Sequence, residues 1–183
     1  ACEKVGEWQH AAELLQDMRS RFLEADVVGL GAAISSCSKG RCWVAAIELL
    51  AGATRGGISP NAIHYNSAMS ACVNGERWWL ALELLGELRA AGLEPTTVTF
   101  GAAACAMERG RRWLEALELV EEMLRSGVLP DVVVYGAAIS ACEKSQQWLS
   151  ALGLLRGMQR VKLRPDAVAF SAAISACEKC AQW

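Results

Sequence analysis

The sequence predicts an all-α protein, an α-solenoid in which helix-turn-helix repeats stack into a superhelix. The first observation is that six of the seven tryptophans lie 35 residues apart, at Trp8, Trp43, Trp78, Trp113, Trp148 and Trp183. The second is that all four prolines keep the same step, at Pro60, Pro95, Pro130 and Pro165. A period of roughly 20 to 50 residues indicates stacked copies of one small unit. We therefore expect this protein to bind along an extended surface.

Each repeat is expected to contain two helices. In one repeat, apolar residues from Tyr65 to Cys72 follow the i, i+3, i+4, i+7 spacing of a helix, which Gly75 then interrupts. A second apolar stripe starts at Trp78 and stops before Gly92. The spacing predicts about ten residues for the first helix and about thirteen for the second. Trp78 is expected to wedge between helices, and stacking on a nucleic-acid base is the alternative.

The period divides the chain into four complete repeats and two partial ones. The boundaries are a partial copy at 1–26, repeats at 27–61, 62–96, 97–131 and 132–166, and a partial copy at 167–183. We expect one array over residues 1–183. Because solenoids usually end in polar caps and neither end resembles one, we also expect this array to continue in a longer protein.

Composition excludes several classes of protein. With 53% apolar and 21% charged residues, the chain has enough apolar surface to form a packed core. No apolar run approaches the roughly 20 residues of a membrane-spanning helix, so no membrane partner is expected. The net charge of −2 does not by itself indicate nucleic-acid binding. That function must be argued from where the charges lie.

The cysteines are expected to be structural. Five of the eight occupy one slot of the repeat, at Cys2, Cys37, Cys72, Cys142 and Cys177. Equivalent positions of adjacent repeats lie about 10 Å apart, whereas a disulfide needs Cα atoms within about 7 Å of each other. Cys177 and Cys180 form a C-x-x-C pair, which leaves a metal or redox role as the alternative. A structural zinc needs two further ligands, so we expect no metal and no cofactor.

The segment from Val132 to Lys144, followed by Trp148 to Met158 and by Arg164-Pro165-Asp166, resembles a pentatricopeptide repeat. The 35-residue unit distinguishes it from the related 34-residue tetratricopeptide class, and the resemblance covers the whole chain. It implies binding of single-stranded RNA at about one base per repeat. It also implies a role in organellar RNA processing, stabilisation or translation, in the chloroplast or mitochondrion, and no enzymatic activity.

Positions 5, 9 and 13 of each repeat share one face of the first helix. Position 13 is basic in five of six copies, at Lys4, Lys39, Arg109, Lys144 and Lys179. The resemblance implies that these cations contact RNA phosphates. The alternative is that they favour the helix C-terminus, which is worth about 0.3–1 kcal/mol. A glutamate precedes four of them, and because helix neighbours point about 100° apart, we expect the two signs on different faces.

The resemblance also implies how bases are held. Aliphatic residues at position 2 would sandwich each base, at Val28, Ile63, Val98, Val133 and Val168. Position 5 and the last residue would contact its edge, through Gly31/Asn61, Asn66/Thr96, Gly101/Asp131, Gly136/Asp166 and Ser171. Because glycine has no side chain to form a hydrogen bond, we expect binding that tolerates many sequences. The alternative for the aliphatic residues is that they seal the start of the helix.

Two other functions stay open. The chain could be a protein-binding scaffold, a subunit of a large assembly such as an organellar ribosome, with other proteins of a ribonucleoprotein as its partners. An enzyme would need a nucleophile with a base, a phosphate-binding loop or a metal cluster, and the sequence contains no such motif.

Overall fold

The computed structural model describes residues 27–180, and every regular element in that range is an α-helix of 13 residues. The helices are α1 (Val27–Lys39), α2 (Trp43–Arg55), α3 (Ala62–Asn74), α4 (Trp78–Ala90), α5 (Thr97–Arg109), α6 (Trp113–Arg125), α7 (Val132–Lys144), α8 (Trp148–Arg160) and α9 (Ala167–Lys179). The prediction of an all-α repeat protein is confirmed. None of these helices is long and apolar enough to cross a membrane.

The first helix of each repeat is longer than the ten residues expected. The helices α3, α5, α7 and α9 start at the first residue of their repeats because the residue before each of them caps its N-terminus. In the second repeat, Asn61 Oδ1 accepts hydrogen bonds from the backbone N–H groups of Ile63 and His64, at 3.0 and 3.3 Å. His64 Nδ1 in turn accepts a hydrogen bond from the Asn61 N–H at 3.0 Å. Such a cap satisfies donors that a helix end would otherwise leave unpaired.

The turn between the two helices of a repeat depends on close contact with the preceding repeat. Gly75 has an ordinary φ of −85°, and it is Glu76 that adopts the left-handed conformation, at φ 61°. A Cβ on Gly75 would lie 2.4 Å from Cδ1 of Trp43. Glycine is therefore needed here because the Trp43 indole packs against the turn of the next repeat. This contact agrees with the expected packing role of the tryptophan.

The chain divides into two compact units, Ala1–Pro95 and Thr96–Trp183. In the first unit α1 packs beside α3, and α2 contacts both. In the second unit α5, α7 and α9 pack side by side, α6 contacts α5 and α7, and α8 contacts α7 and α9. Successive first helices in each unit are thus direct neighbours, which brings equivalent positions of adjacent repeats together.

Alanines lie where the helices approach most closely. Their small side chains leave no room for a larger residue without overpacking. Those of the first helices, at most 3% exposed, are Ala33, Ala68, Ala103, Ala138 and Ala173. Those of the second helices, all fully buried, are Ala46, Ala81, Ala116 and Ala151.

The seven cysteines between residues 27 and 180 are free thiols, and Cys2 lies outside the described residues. Burial raises the pKa of the Cys72 and Cys142 thiols to about 11, which suppresses the reactive thiolate. Cys177 is only half-buried, whereas Cys180 Sγ donates a hydrogen bond to the backbone oxygen of Gln146 at 3.2 Å. Within the described residues, no three His, Cys, Asp or Glu side chains are grouped for a metal ion.

We predict that Gly75→Ala destabilises the protein, because its new methyl group would collide with the Trp43 ring. The expected loss in the free energy of unfolding is about 1–3 kcal/mol. Gly86→Ala is the matched control, since Gly86 lies inside α4 with no atom within 4 Å of its ideal Cβ. That control should raise stability by as much as about 1 kcal/mol through helix propensity. Urea denaturation followed by circular dichroism measures both, and equal effects would contradict the packing argument.

Candidate nucleic-acid interface

The aliphatic residues at position 2 are exposed in all five first helices. The exposed fractions are 76% for Val28, 66% for Ile63, 66% for Val98, 57% for Val133 and 65% for Val168. Each is the second residue of its helix and lies in the first turn. Residues that sealed the start of a helix would be buried, so this exposure argues against that alternative. Sandwiching of a base by these side chains stays a prediction.

The residues at position 5, which are predicted to contact bases, differ in exposure. A Cβ on Gly101 would lie 3.9 Å from Val133 Cγ1, so position 5 of one repeat adjoins position 2 of the next. A Cβ on Gly136 would meet no atom within 4 Å, so packing does not require glycine there. Asn66 is only 8% exposed, whereas Ser171 is exposed. Gly31 lies over the buried His64 side chain, with 3.6 Å from its ideal Cβ to Nε2.

The last residues of the repeats have a second role that the sequence analysis missed. Asp131 Oδ1 accepts a hydrogen bond from Val134 N at 2.9 Å, and Asp166 Oδ1 accepts one from Ala169 N at 2.8 Å. Asn61 and Thr96 cap α3 and α5 in the same way. The signal was available, because Asn, Thr or Asp directly before an apolar helical stripe marks a helix start. In each aspartate one oxygen holds the helix, and Oδ2 is the oxygen that could meet a base.

An open cleft between α7 and α9 collects several of the predicted residues. Its volume is about 500 Å³, and it is lined by Ser140, Glu143, Ala167, Val168, Ser171, Ala172 and Ser175. Val168 and Ser171 are the predicted base contacts of the last partial repeat. Ser140 and Ser175 occupy position 9 of adjacent repeats. The cleft therefore combines an apolar wall with hydroxyl groups and the carboxylate of Glu143.

Two of the predicted phosphate contacts form ion pairs between repeats. Lys144 Nζ lies 2.8 Å from Glu108 Oε1, and Lys179 Nζ lies 2.8 Å from Glu143 Oε1. The two glutamates occupy position 12 of the preceding repeat. The sequence analysis placed the two signs on different faces, but stacking brings each glutamate onto the lysine of the next helix. Sequence periodicity alone does not reveal this offset.

The environment of Glu143 favours its charged form. Burial raises the pKa of this carboxyl, but hydrogen bonds from Lys179 and from Ser175 Oγ, at 2.8 and 3.0 Å, lower it. The positive charges of Lys179 and Lys144 lower it further. The net result is a pKa below the ordinary value of 4.5. Glu143 is therefore ionised at neutral pH and is a persistent partner for Lys179.

The other predicted phosphate contacts have different surroundings. Lys39 and Arg109 are exposed at the ends of α1 and α5, and neither forms an ion pair with any residue from 27 to 180. Position 13 of the second repeat is Asn74, whose Nδ2 donates a hydrogen bond to the backbone oxygen of Ser38 at 3.3 Å. Lys4 lies outside the described residues.

Sequence comparison assigns the family. The model of the pentatricopeptide repeat domain matches residues 13–75, 48–103 and 118–179, and that of the single repeat matches residues 98–128. These matches cover most of the chain. The chain belongs to the pentatricopeptide repeat family. No significant sequence match to a curated protein was found.

Solved pentatricopeptide repeat proteins share this fold. PPR10 in complex with an 18-nt psaJ RNA element is 21% identical with a TM-score of 0.72, over 91% of this chain and 25% of that one. The PPR domain of Arabidopsis thaliana protein-only RNase P 1, in complex with tRNA, is 18% identical with a TM-score of 0.72, over 81% of this chain and 78% of that one. Nuclear proteinaceous RNase P 2 from A. thaliana is 16% identical with a TM-score of 0.72, over 84% and 35%. The chain thus spans about a quarter of the PPR10 chain.

We predict that the contribution of Glu143 to stability depends on pH. Because the folded-state pKa is lowered, the stabilisation is fully present above the unfolded value of 4.5 and is lost as the pH falls through the folded value. Glu143→Gln should therefore lower the free energy of unfolding near neutral pH by about 0.2–1 kcal/mol. The difference from the wild type should vanish in acid. Urea denaturation over a pH series measures it.

Glu178→Gln is the control for this experiment. Glu178 has the same position in α9 and is exposed, and the structure records no ion pair for it among residues 27–180. The control should leave stability unchanged throughout the series. A destabilisation by Glu143→Gln that persisted fully in acid would contradict the assignment to charge.

Proposed function

We propose that this chain is a single-stranded RNA-binding solenoid that tolerates many sequences. The observation that supports it most directly is the exposed aliphatic residue at position 2 of every described first helix, from 57% to 76% exposed. Apolar side chains in water favour a partner that covers them. A recurrence of one per repeat matches the one-base-per-repeat binding of this family. The RNA in the PPR10 and RNase P 1 complexes supports the same conclusion.

The other residues take the roles that the family implies. Lys4, Lys39, Arg109, Lys144 and Lys179 bind phosphates. Glycine at position 5 removes half of the base-reading pair in three complete repeats, and Asn61, Asp131 and Asp166 then contact bases alone. Capping occupies one oxygen of each of these residues, which limits what they can discriminate. Selectivity for sequence is accordingly low.

We place the activity in organellar RNA processing, stabilisation or translation, in the chloroplast or mitochondrion. This assignment rests on family membership alone. In this proposal the chain is non-catalytic, and residues 1–183 form one array. Chemistry on the bound RNA would come from another protein or from a flanking domain.

A protein-binding scaffold is the second candidate. It is favoured by exposed apolar residues at the second position of the second helices, which are Val44 (48%), Trp79 (42%), Leu114 (57%) and Leu149 (68%). A nucleic acid bound to the first helices would leave these residues uncovered. A protein partner recovered after nuclease treatment, with no RNA recovered beforehand, would favour this candidate.

We predict that Val133→Ala with Val168→Ala weakens RNA binding. Each substitution removes apolar surface that a base would cover, so Kd should rise about threefold to tenfold per valine. Fluorescence anisotropy with a labelled single-stranded RNA of mixed sequence measures the change. Leu114→Ala with Leu149→Ala is the matched control, because it truncates equally exposed side chains on the second helices. Equal losses in the two variants would contradict the assignment of the first helices.

We also predict that the position-13 cations supply a sequence-independent part of the affinity. Four or five phosphate contacts give a log Kd against log salt slope of magnitude up to about 3, at about 0.7 per contact on a single strand. Replacing Lys39, Arg109, Lys144 and Lys179 by alanine should weaken all RNA sequences alike and flatten this slope. The control replaces four exposed arginines of second helices, Arg55, Arg125, Arg156 and Arg160. A loss confined to one sequence would contradict the phosphate role.

A further inference from the structure

The ion pairs between repeats have a consequence for the lysines that they involve. Glu108 of α5 holds Lys144 of α7, and Glu143 of α7 holds Lys179 of α9, each at 2.8 Å. The same two positions form both contacts, each 36 residues apart. The contact is therefore a regular feature of the second unit, and it uses the lysines that RNA phosphates would use.

We propose that Glu108 and Glu143 compete with RNA phosphates for Lys144 and Lys179, and so reduce the affinity of the second unit for single-stranded RNA. This inference rests on the proposed RNA-binding function. A phosphate that approaches either ammonium group also approaches the carboxylate within 3 Å of it. Like charges at that separation repel, so the phosphate must displace the glutamate or bind less tightly. A lysine without a carboxylate partner has no such competitor.

The accessibility of the pairs makes the competition possible. The lysine side chains are 36% and 48% exposed, whereas the glutamates are 26% and 19% exposed. The cations thus face solvent more than their partners do. A polyanion can reach each ammonium group from outside without unfolding the contact between the helices.

Glu143 also lies within the cleft where a nucleotide would sit. It lines that cleft together with Val168 and Ser171. Its Oε1 accepts hydrogen bonds from both Lys179 and Ser175, which hold the carboxylate in place. A nucleotide bound against Val168 would therefore meet a fixed negative charge. The competition acts at the predicted binding surface and not at a distance.

The array then contains two kinds of cation. Lys144 and Lys179 are neutralised by a neighbouring repeat, whereas Lys39 and Arg109 form no ion pair within residues 27–180. Position 12 of the repeat before Arg109 is Val73, which offers no carboxylate, so Arg109→Ala should weaken RNA binding more than Lys144→Ala or Lys179→Ala does. The glutamates act here as affinity-setting residues that need not touch the RNA themselves.

The central experiment uses the full chain with Glu108→Gln and Glu143→Gln together. The probe is a 5′-fluorescein-labelled single-stranded RNA of mixed sequence and about 20 nucleotides, followed by anisotropy over a salt series. Kd should fall about threefold to tenfold, which corresponds to the summed free energy of two partly exposed ion pairs. The salt dependence should also steepen, by as much as about 0.7 per glutamate replaced, because the freed lysines release more counterions.

Two controls separate competition from other effects. Glu83→Gln with Glu118→Gln makes the same change in net charge at exposed sites of the second helices, and it should alter Kd less than twofold. Adding Lys144→Ala and Lys179→Ala to the glutamine variant should abolish the gain, since the effect must pass through these lysines. Circular dichroism checks that each variant is folded, and the single variants Glu108→Gln and Glu143→Gln serve if the double variant is not.

The outcomes are distinct. Weaker or unchanged binding by the glutamine variant, with a wild type that binds RNA, overturns the competition and leaves the proposed function standing. An equal gain in the Glu83 and Glu118 control also overturns it, because net charge would then suffice. A gain in RNA affinity that persists after Lys144 and Lys179 are replaced by alanine also overturns the competition. A wild type that binds no RNA at low salt overturns both proposals.

Discussion

The close approach of successive hairpins is the constraint on which the other features depend. Buried alanines in the first helices, such as Ala103 and Ala138, let neighbouring backbones pack with little between them. The Trp43 indole, pressed against Gly75, leaves no space for even a methyl group at the next turn. Such contacts within a unit allow only one register between hairpins. This register determines which residues of a unit become neighbours. Every surface property of the unit then follows from these neighbours.

The period of 35 residues was enough to predict the class of fold and the start of each repeat, because identical slots must bury identical side chains. It was not enough to predict the length of the first helix. That depended on Asn61 and Asp131, whose side chains cap the helices they precede. Capping is a local interaction, and the residue types before each helix indicate it. The family resemblance, however, implied base contacts at these positions. The cap and the proposed base contact fall on the same side chains.

The charge pattern shows where sequence reasoning stops. The positions of Glu143 and Lys144 along one helix predict that the two signs point to different faces. The partner of each charge is nevertheless chosen by the lateral offset between helices, which places Glu143 beside Lys179. No period in the sequence contains this offset. The predicted row of cations stays a prediction, and its electrostatic strength depends on carboxylates from the neighbouring repeat.

The capping aspartates also bear on how this surface could acquire new preferences. Replacing Asp131 or Asp166 alters a group that is proposed to contact RNA, and it also removes the N-terminal cap of α7 or α9. Gly136, at position 5 of its repeat, has no such capping role, and a side chain there would extend into open space. Variation can accumulate there without harm to the scaffold. Evolution or redesign of selectivity should thus proceed first through the glycines, with the helix-starting residues held constant.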